Sequence, residues 1–443
     1  MKLFYSNRQI WQMSYPILLG LFAQNIINVT DTAFLGRVGE VELGASALGG
    51  LYYICAFTIA FGFSTGSQII IARRNGEKRY SEVGPVMIQG VFFLLGLAAF
   101  LFLFSRLFSE SIMRVLVSSD VILESTQEFI YWRIFGFFFS FVNVMFRALY
   151  IGITRTKVLT LNAVFMAITN VLLDYLLIFG HAGFPELGLK GAAIASVITE
   201  AVSIVFLVIY TRFAVDIKKY ALNKIGSFDM NLLKRVLSIS IFTMFQYFIS
   251  MSTFFLFFVA VERLGQRELA IANIVRSVYI VMFIPVNALS TTTNSFVSNA
   301  IGAGYKDQVL AIIHKLAKFS FLTMAVLSTL VMCFPRAIIS IYTNDPTLID
   351  SSIPSLYVIS VAMLISAVSN IYFNGVSGTG NTRTALWLEL VTLAFYCIYI
   401  YIVAFRLRMP VEICFTTELI YFSFLLLFSF VYLKKGNWQK KKI

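Results

Sequence analysis

Long apolar stretches separated by short polar turns make up nearly the whole chain. A helix of about 20 residues crosses the hydrocarbon core of a bilayer, and windows of that length mark twelve candidate spans. They lie near residues 11–35, 44–72, 83–105, 128–151, 158–180, 188–211, 236–260, 269–298, 310–334, 353–376, 385–405 and 411–433. The pattern predicts an all-α polytopic membrane protein with twelve transmembrane helices.

Composition agrees with this interpretation, since 59% of the 443 residues are hydrophobic and the mean hydropathy is +0.83. The first apolar stretch is too long for a signal peptide and lacks a small-residue cleavage site, which indicates a retained span. The four cysteines have no paired spacing, so neither a disulfide framework nor a zinc site is indicated. A mixture of polar and apolar residues over 105–128 predicts a short amphipathic helix on the outer face.

The net charge of +13 could suggest a nucleic-acid ligand, but the basic residues fall between the spans and follow membrane topology. With both termini inside, 23 of the 35 Lys and Arg residues face the cytoplasm and nine face outward. We therefore expect a protein integral to the plasma membrane, a bacterial inner membrane, with both termini cytoplasmic. We expect no nucleic-acid partner.

Two stretches recur at a nearly constant offset. The pattern R-x-G-x-x-E-L at 37–43 returns at 263–269, an offset of 226, and GITRT at 152–156 returns as GNTRT at 380–384, an offset of 228. Gly76 matches Gly304 at the same offset of 228. Three agreeing matches indicate a duplication of six spans.

The duplication predicts two six-helix lobes related by pseudo-twofold symmetry. The lobes comprise residues 1–215 and 236–443, joined by a cytoplasmic linker at 216–235. Parallel repeats of this kind are typical of alternating-access transporters, in which a central site opens to each side in turn.

Asp174 lies inside an apolar span, four residues after Asn170 on the same helix face. An Asp at mid-membrane costs about 2.5–3.5 kcal/mol, so such residues usually face the bundle interior and bind something. With the hydroxyl of Ser196 in the next span, these side chains offer oxygens suited to Na⁺ or to a proton. The alternative is a carboxylate that bridges to a neighbouring helix and only stabilises packing.

Asp31 lies more than one helical turn inside the predicted end of the first span. It follows Gln24 and Asn25, polar residues that could line the same cavity. The alternative is a helix-end carboxylate hydrated at the membrane interface.

Three further carboxylates lie in predicted spans: Glu200, Glu389 and Glu418. Each either lines a cation-accepting cavity or neutralises an arginine such as Arg276 in a structural pair. Gln246 and Arg276 are further polar residues of the second half that could line a cavity.

The second-half positions equivalent to Asp31 and Asp174 by the repeat are apolar, Val259 or Val261 and Ile402. The candidate ion site therefore belongs to the first half alone.

The chain has 45 Phe, 21 Tyr and 14 Met, and a few of them lining a cavity would suit varied lipophilic cations. The two histidines lie far apart, and no nucleophile, phosphate-loop or zinc pattern is present in the sequence. We expect no enzymatic activity, no cofactor, membrane lipid as the surroundings and a monomer.

At these motifs the chain resembles the multidrug and toxic compound extrusion (MATE) family over essentially its whole length. The resemblance is carried by DTAFLGRVG, ARRNGE, GITRT with GNTRT, TNVLLDYLLIFG and GAAIAS. It implies two six-helix lobes and a secondary active multidrug efflux antiporter that exports lipophilic organic cations in exchange for Na⁺ or H⁺. The sequence leaves the substrates and the coupling ion open.

Carried onto this chain, the family's first-lobe cation site falls on Asp31, Asn170, Asp174 and Ser196, with the main-chain oxygen of Ala192 as a further ligand. These side chains are also the implied Na⁺ ligands. Gln246 stands where NorM-like members have a Glu, so the pattern is closer to DinF-like members. The alternative is a lipid-linked precursor flippase of the same superfamily, which usually has fourteen spans and an Arg-lined cavity.

The charge asymmetry predicts that Lys442 and Gly265 lie on opposite sides of the membrane. Single cysteines at these positions, in a variant without the four native cysteines, are expected to react with an impermeant thiol reagent from opposite sides. Reaction of both from the same side would contradict twelve spans with cytoplasmic termini.

Overall fold

Twelve long helices carry most of the chain in the computed structural model, which describes residues 5–117, 119–223 and 228–440. They are α1 (Asn7–Val38), α2 (Glu40–Gly76), α3 (Tyr80–Leu116), α4 (Asp120–Gly152), α5 (Lys157–Phe179), α6 (Gly188–Ala214), α7 (Met230–Glu262), α8 (Gln266–Gly302), α9 (Lys306–Cys333), α10 (Pro346–Gly378), α11 (Thr382–Arg406) and α12 (Val411–Lys435). Each is long and apolar enough to cross a membrane, and the described residues contain no β-strand. The predicted all-α membrane protein with twelve spans is confirmed.

The helices fall into two compact units. The first unit comprises residues 15–244, and the second comprises residues 1–14 with 245–443. The boundaries lie within α1 and α7, whereas the division at a 216–235 linker stays a prediction. Lys2, Lys224, Lys441 and Lys442, predicted to be cytoplasmic, lie outside the described residues.

The amphipathic surface helix predicted for residues 105–128 is wrong. Instead α3 continues to Leu116 and α4 begins at Asp120. Ser105, Ser109 and Met113 recur at every fourth position on a buried face, which explains why the helix continues past the apolar window.

The turns that follow α2 and α8 have the same backbone hydrogen bonds, at an offset of 226 in the numbering. The N–H of Lys78 donates to Asn75 and that of Gly304 donates to Ile301, at 3.2 and 3.1 Å. Lys78 and Gly304 both have left-handed backbone angles, with φ of 60° and 89°. Lys78, and not Gly76, is therefore the counterpart of Gly304.

The turns after α4 and α10 repeat in the same register. Thr154 donates its N–H to Ile151, and Gly380 donates to Ser377. Thr154 and Gly380 are again both left-handed. The offset of 228 for GITRT and GNTRT is thus wrong by two positions. That offset matched glycine to glycine, whereas the left-handed positions of the first half are occupied by Lys78 and Thr154.

The corrected register changes the second-half counterparts of the candidate ion site. Asp31 corresponds to Phe257 and Asp174 to Ile400, in place of Val259 or Val261 and Ile402. Phe257 and Ile400 are both buried in the core of the second unit.

Candidate cation-coupling site

Two acidic side chains and one amide meet in the first unit. Asp174 and Asn170, one turn apart on α5, are 0% and 1% exposed, and Asp31 of α1 is half-buried. In the orientation that satisfies its hydrogen bonds, the Asn170 amide nitrogen donates to Asp31 Oδ1 at 2.9 Å and to Asp174 Oδ2 at 3.2 Å. The two carboxyl groups are also within hydrogen-bonding reach of each other. The spacing of Asn170 and Asp174 by four residues is what aims both side chains at α1.

One oxygen of this cluster is an acceptor without a donor. Asp174 Oδ1 is buried and has no hydrogen-bond partner among the described residues. Because an unsatisfied buried acceptor is costly, this oxygen marks the position at which a proton or a cation would bind.

Helix α6 lies close against α5 because residue 191 is a glycine. A Cβ at Gly191 would lie 2.5 Å from the carbonyl oxygen of Leu177, which is backbone and unable to move aside. The N–H of Leu187 also donates to Leu177 O at 2.9 Å. Ala192 and Ile178 then share one core cluster.

Ser196 forms no side-chain hydrogen bond to the cluster within the part of the chain that the structure describes, and the role of the Ala192 main-chain oxygen stays a prediction. Ala192 is buried and Ser196 is half-buried. Thr199, one turn further along α6, has a buried hydroxyl without a described partner. The sequence interpretation missed Thr199, since a lone threonine in an apolar span gives no signal.

Glu200 is paired with an arginine across α4 and α6. Arg133 Nη2 donates to Glu200 Oε1 at 2.7 Å and Nη1 donates to Oε2 at 3.1 Å, a bidentate pair. The Arg133 guanidinium lies 3.6 Å from the Tyr53 ring centroid, and the Tyr53 hydroxyl lies 3.1 Å from Glu200 Oε1 and 2.7 Å from Ser140 Oγ. Of the two interpretations of Glu200, the geometry matches the arginine pair, with Arg133 in the place suggested for Arg276.

A glycine makes room for this ion pair. A Cβ at Gly136, in the 3₁₀ turn of α4, would overlap atoms of Arg133 and Glu200. Arg133 is also an electrostatic neighbour of Asp31. The pair is therefore adjacent to the acidic cluster, and Arg133 was identifiable from the sequence only as an intramembrane arginine.

The remaining predicted site residues are dispersed. On α1, Gln24 is exposed and Asn25 donates to the carbonyl of Leu21 in its own helix at 3.0 Å. In the second unit, Arg276 lies 5.0 Å from the ring centroid of Phe258. The described residues contain no group of three or more His, Cys, Asp or Glu arranged to hold a metal. Any Na⁺ site here would depend on amide and hydroxyl oxygens beside the two carboxylates.

A family model gives an independent comparison. The MatE model matches residues 16–176 and again residues 243–402. The starts of the two matches are offset by 227 and their ends by 226, which agrees with the register of the turns.

The chain is also similar to curated relatives over most of its length. The chain is 23% identical over 444 residues to a probable multidrug resistance protein NorM of Thermotoga maritima, covering 99% of this chain and 94% of the relative. A Synechococcus protein of the same description is 24% identical over 405 residues, covering 88% and 85%.

Two solved structures share the fold with a TM-score of 0.89 at 18% identity, each covering 98% of this chain and 97% of the other. One is an outward-facing multidrug resistance MATE family transporter, and the other is a MOP superfamily transporter from Pyrococcus furiosus.

We predict that Glu200→Gln destabilises the protein, because it leaves the Arg133 charge unpaired in a largely buried site. Removing one partner of a buried pair costs about 3–5 kcal/mol. Thermal unfolding in detergent is expected to show a lower midpoint.

The matched control is Glu110→Gln, which breaks an exposed pair with Arg114 and is expected to cost below about 1 kcal/mol. The double change Arg133→Met with Glu200→Met should regain stability. A Glu200→Gln protein as stable as the parent would show that the pair is not a stabilising contact.

Proposed function

Because this chain belongs to the MATE family of multidrug efflux transporters, we propose that it is a secondary active antiporter that exports lipophilic organic cations in exchange for Na⁺ or H⁺. It works as a monomer in a bacterial inner membrane, with both termini cytoplasmic and without a cofactor or an enzymatic step.

The Asp31, Asn170 and Asp174 cluster carries the proposal. Unit charges of like sign within a few ångströms of each other repel by about 4 kcal/mol at an effective dielectric constant of about 20. A cation or a proton that enters between the two carboxylates removes this repulsion. The cluster therefore binds a positive charge strongly. Asp174 Oδ1, which lacks a described partner, is the oxygen that such an ion would contact first.

The two candidate ions make different demands on Asn170. In the orientation that satisfies its hydrogen bonds, its amide nitrogen faces both carboxyl groups, which suits a cluster that shares a proton. Na⁺ requires oxygen ligands, so it would instead require the opposite orientation, with Oδ1 facing the carboxyl groups. Ser196 of the adjacent helix α6 would then supply the hydroxyl.

Ion entry can act on α1, because this helix is connected to α5 at two levels. Thr160 Oγ1 donates to the carbonyl of Pro16 at 2.8 Å, and Asn170 donates to Asp31 about four turns further along α1. Neutralising Asp31 weakens only the second connection. We propose that α1 then changes its packing on α5, which gives the ion its effect on the transport cycle.

Asp174→Asn is expected to abolish gradient-driven efflux while the protein reaches the membrane at normal levels, because the change is nearly isosteric and removes the charge that binds the ion. The measurement is dye efflux from proteoliposomes under separately imposed Na⁺ and pH gradients. Glu110→Gln, an exposed carboxylate outside the cluster, is the control that should pump normally. If Asp174→Asn and Asp31→Asn both pump like the parent, the coupling site lies elsewhere.

Expression in a pump-deficient bacterium is expected to raise resistance to cationic dyes such as ethidium, because the acidic cluster of the first unit attracts cations. Survival is measured against a vector control and against the Asp174→Asn variant. Protection from defects of envelope assembly alone, without dye resistance, would favour a flippase.

A further inference from the structure

The second unit carries apolar residues where the first carries its two aspartates, yet it buries carboxylates elsewhere. The buried face of α11 repeats that of α5 at an offset of 226. The matched pairs are Thr156 and Thr382, Asn170 and Tyr396, Asp174 and Ile400, Leu177 and Val403, and Ile178 and Ala404. Tyr396 therefore occupies the position that Asn170 holds in the first unit.

Helix α12 repeats the buried face of α6 at an offset of 222, because its connection to α11 at 407–410 is four residues shorter than the connection at 180–187. The matched buried pairs are Leu189 and Val411, Ala192 and Cys414, Ala193 and Phe415, Ala195 and Thr417, Ser203 and Leu425, Leu207 and Ser429, and Thr211 and Leu433. This register places Glu418 at the position of Ser196. The Tyr396 hydroxyl donates to Glu418 Oε1 at 3.4 Å, so the counterparts of Asn170 and Ser196 are in contact.

Glu389 lies beside this contact and is 2% exposed. Ser250 Oγ of α7 and the Tyr421 hydroxyl of α12 both donate to Glu389 Oε1 at 2.7 Å. Tyr421 is three residues after Glu418 on α12 and is an electrostatic neighbour of both glutamates. Tyr421 thus donates to Glu389, and its ring is in edge contact with that of Tyr396, which donates to Glu418; the ring centroids are 5.9 Å apart.

Within the described chain, no basic side chain neutralises either glutamate. The ion pairs that the structure describes include neither Glu389 nor Glu418. Arg276 of α8 instead stacks over Phe258, and its Nε has no described hydrogen-bond partner. This arrangement differs from that of Glu200, whose charge Arg133 balances permanently.

An unpartnered acceptor lies on the same face of α7. Gln246, one turn before Ser250, is 9% exposed, and its Oε1 has no hydrogen-bond partner in the described chain. A carboxylate cannot satisfy an acceptor, whereas a carboxylic acid O–H or a bound proton can.

The geometry favours a proton over a metal ion as the occupant. The hydroxyl groups of Ser250, Tyr396 and Tyr421 donate hydrogen bonds to the two carboxyl groups. To ligate a metal, these hydroxyl groups would have to rotate and present their oxygen lone pairs instead. A proton needs no additional room. The titratable, charged and polar groups that α7, α8, α11 and α12 bring to this region are Gln246, Ser250, Arg276, Tyr279, Tyr396, Cys397 and Tyr421.

We propose that the second unit binds protons of its own, one at Glu389 and one at Glu418, connected through Tyr396 and Tyr421, in addition to the ion at Asp31 and Asp174. Its role in coupling rests on the proposed antiport, whereas proton binding itself does not. The residues lie on α11 and α12, away from the α7 position of Gln246 where NorM-like relatives are expected to carry a Glu.

Infrared difference spectroscopy on the purified protein in lipid tests proton binding directly. As the pH is raised, the parent is expected to lose carbonyl-stretch absorbance of buried carboxylic acids, and the bands should shift in D₂O. Glu389→Gln and Glu418→Gln should each remove one band, while Asp31→Asn and Asp174→Asn leave these two bands in place. If neither glutamine variant changes the spectrum, the glutamates carry no proton and the proposal is wrong.

Tyr421→Phe tests the same site if the glutamine variants misfold, because it keeps both carboxyl groups. It removes one donor to Glu389 and is expected to shift the Glu389 band without deleting it; an unmoved band would overturn the connection through Tyr421.

A parent that shows both bands but exchanges no dye would support the proton site and disprove the antiport function. In an active parent, the double change Glu389→Gln with Glu418→Gln should lower the number of protons moved per dye, and an unchanged number would overturn the coupling role.

Discussion

An ionised carboxylate inside an apolar helix bundle requires a partner that balances its charge or donates hydrogen bonds to it. The buried acidic sites of this structure differ in the partner that each one has. An acidic side chain at mid-membrane carries a cost of about 2.5–3.5 kcal/mol, which lipid-facing packing cannot recover. Glu200 is balanced by Arg133 in a bidentate pair. Asp31 and Asp174 share the Asn170 amide, and Glu389 accepts from hydroxyl groups. Only the pair of Arg133 and Glu200 is electrically neutral without a bound ion. The other two arrangements are therefore the ones whose charge an ion would change.

Glycine positions set which helices come close enough for these contacts. Gly191 allows α6 to approach the backbone of α5 at Leu177, and Gly136 leaves space for the Arg133 and Glu200 side chains. The polar residues define the chemistry, but the close contacts of α6 with α5 and with α4 exist because residues without a side chain lie at the helix crossings. A functional cluster built in this way is sensitive to substitutions that touch none of its polar atoms.

Much of the fold was predictable from the sequence, because apolar windows of about 20 residues follow directly from bilayer thickness. The proximity of Asn170 and Asp174 was also predictable, since helical periodicity alone fixes it. The pair of Arg133 and Glu200 was not, because its members lie far apart in the chain, on α4 and α6, and no local pattern connects them. The repeat was recognisable, and the match of 37–43 with 263–269 gave the offset of 226 that the turns have. The two matches at 228 did not, since Lys78 and Thr154 take left-handed positions that glycine holds in the second half.

The duplication preserved the backbone and changed the chemistry. The turns after α2 and α4 recur after α8 and α10, and the buried faces of α5 and α6 recur in α11 and α12, so residues on these elements have defined counterparts. At the counterparts of the two aspartates, the apolar side chains of Phe257 and Ile400 supply no oxygen ligand. The second unit has a buried Glu389 on α11 and a half-buried Glu418 on α12 instead, and Glu418 replaces Ser196 and meets a tyrosine in place of an amide. In the two proposals, the hydroxyl groups around the second site donate to its carboxyl groups and the site takes protons, whereas the carboxylate, amide and hydroxyl oxygens of the first site take either a proton or Na⁺. The same scaffold would then give its two halves different ion preferences.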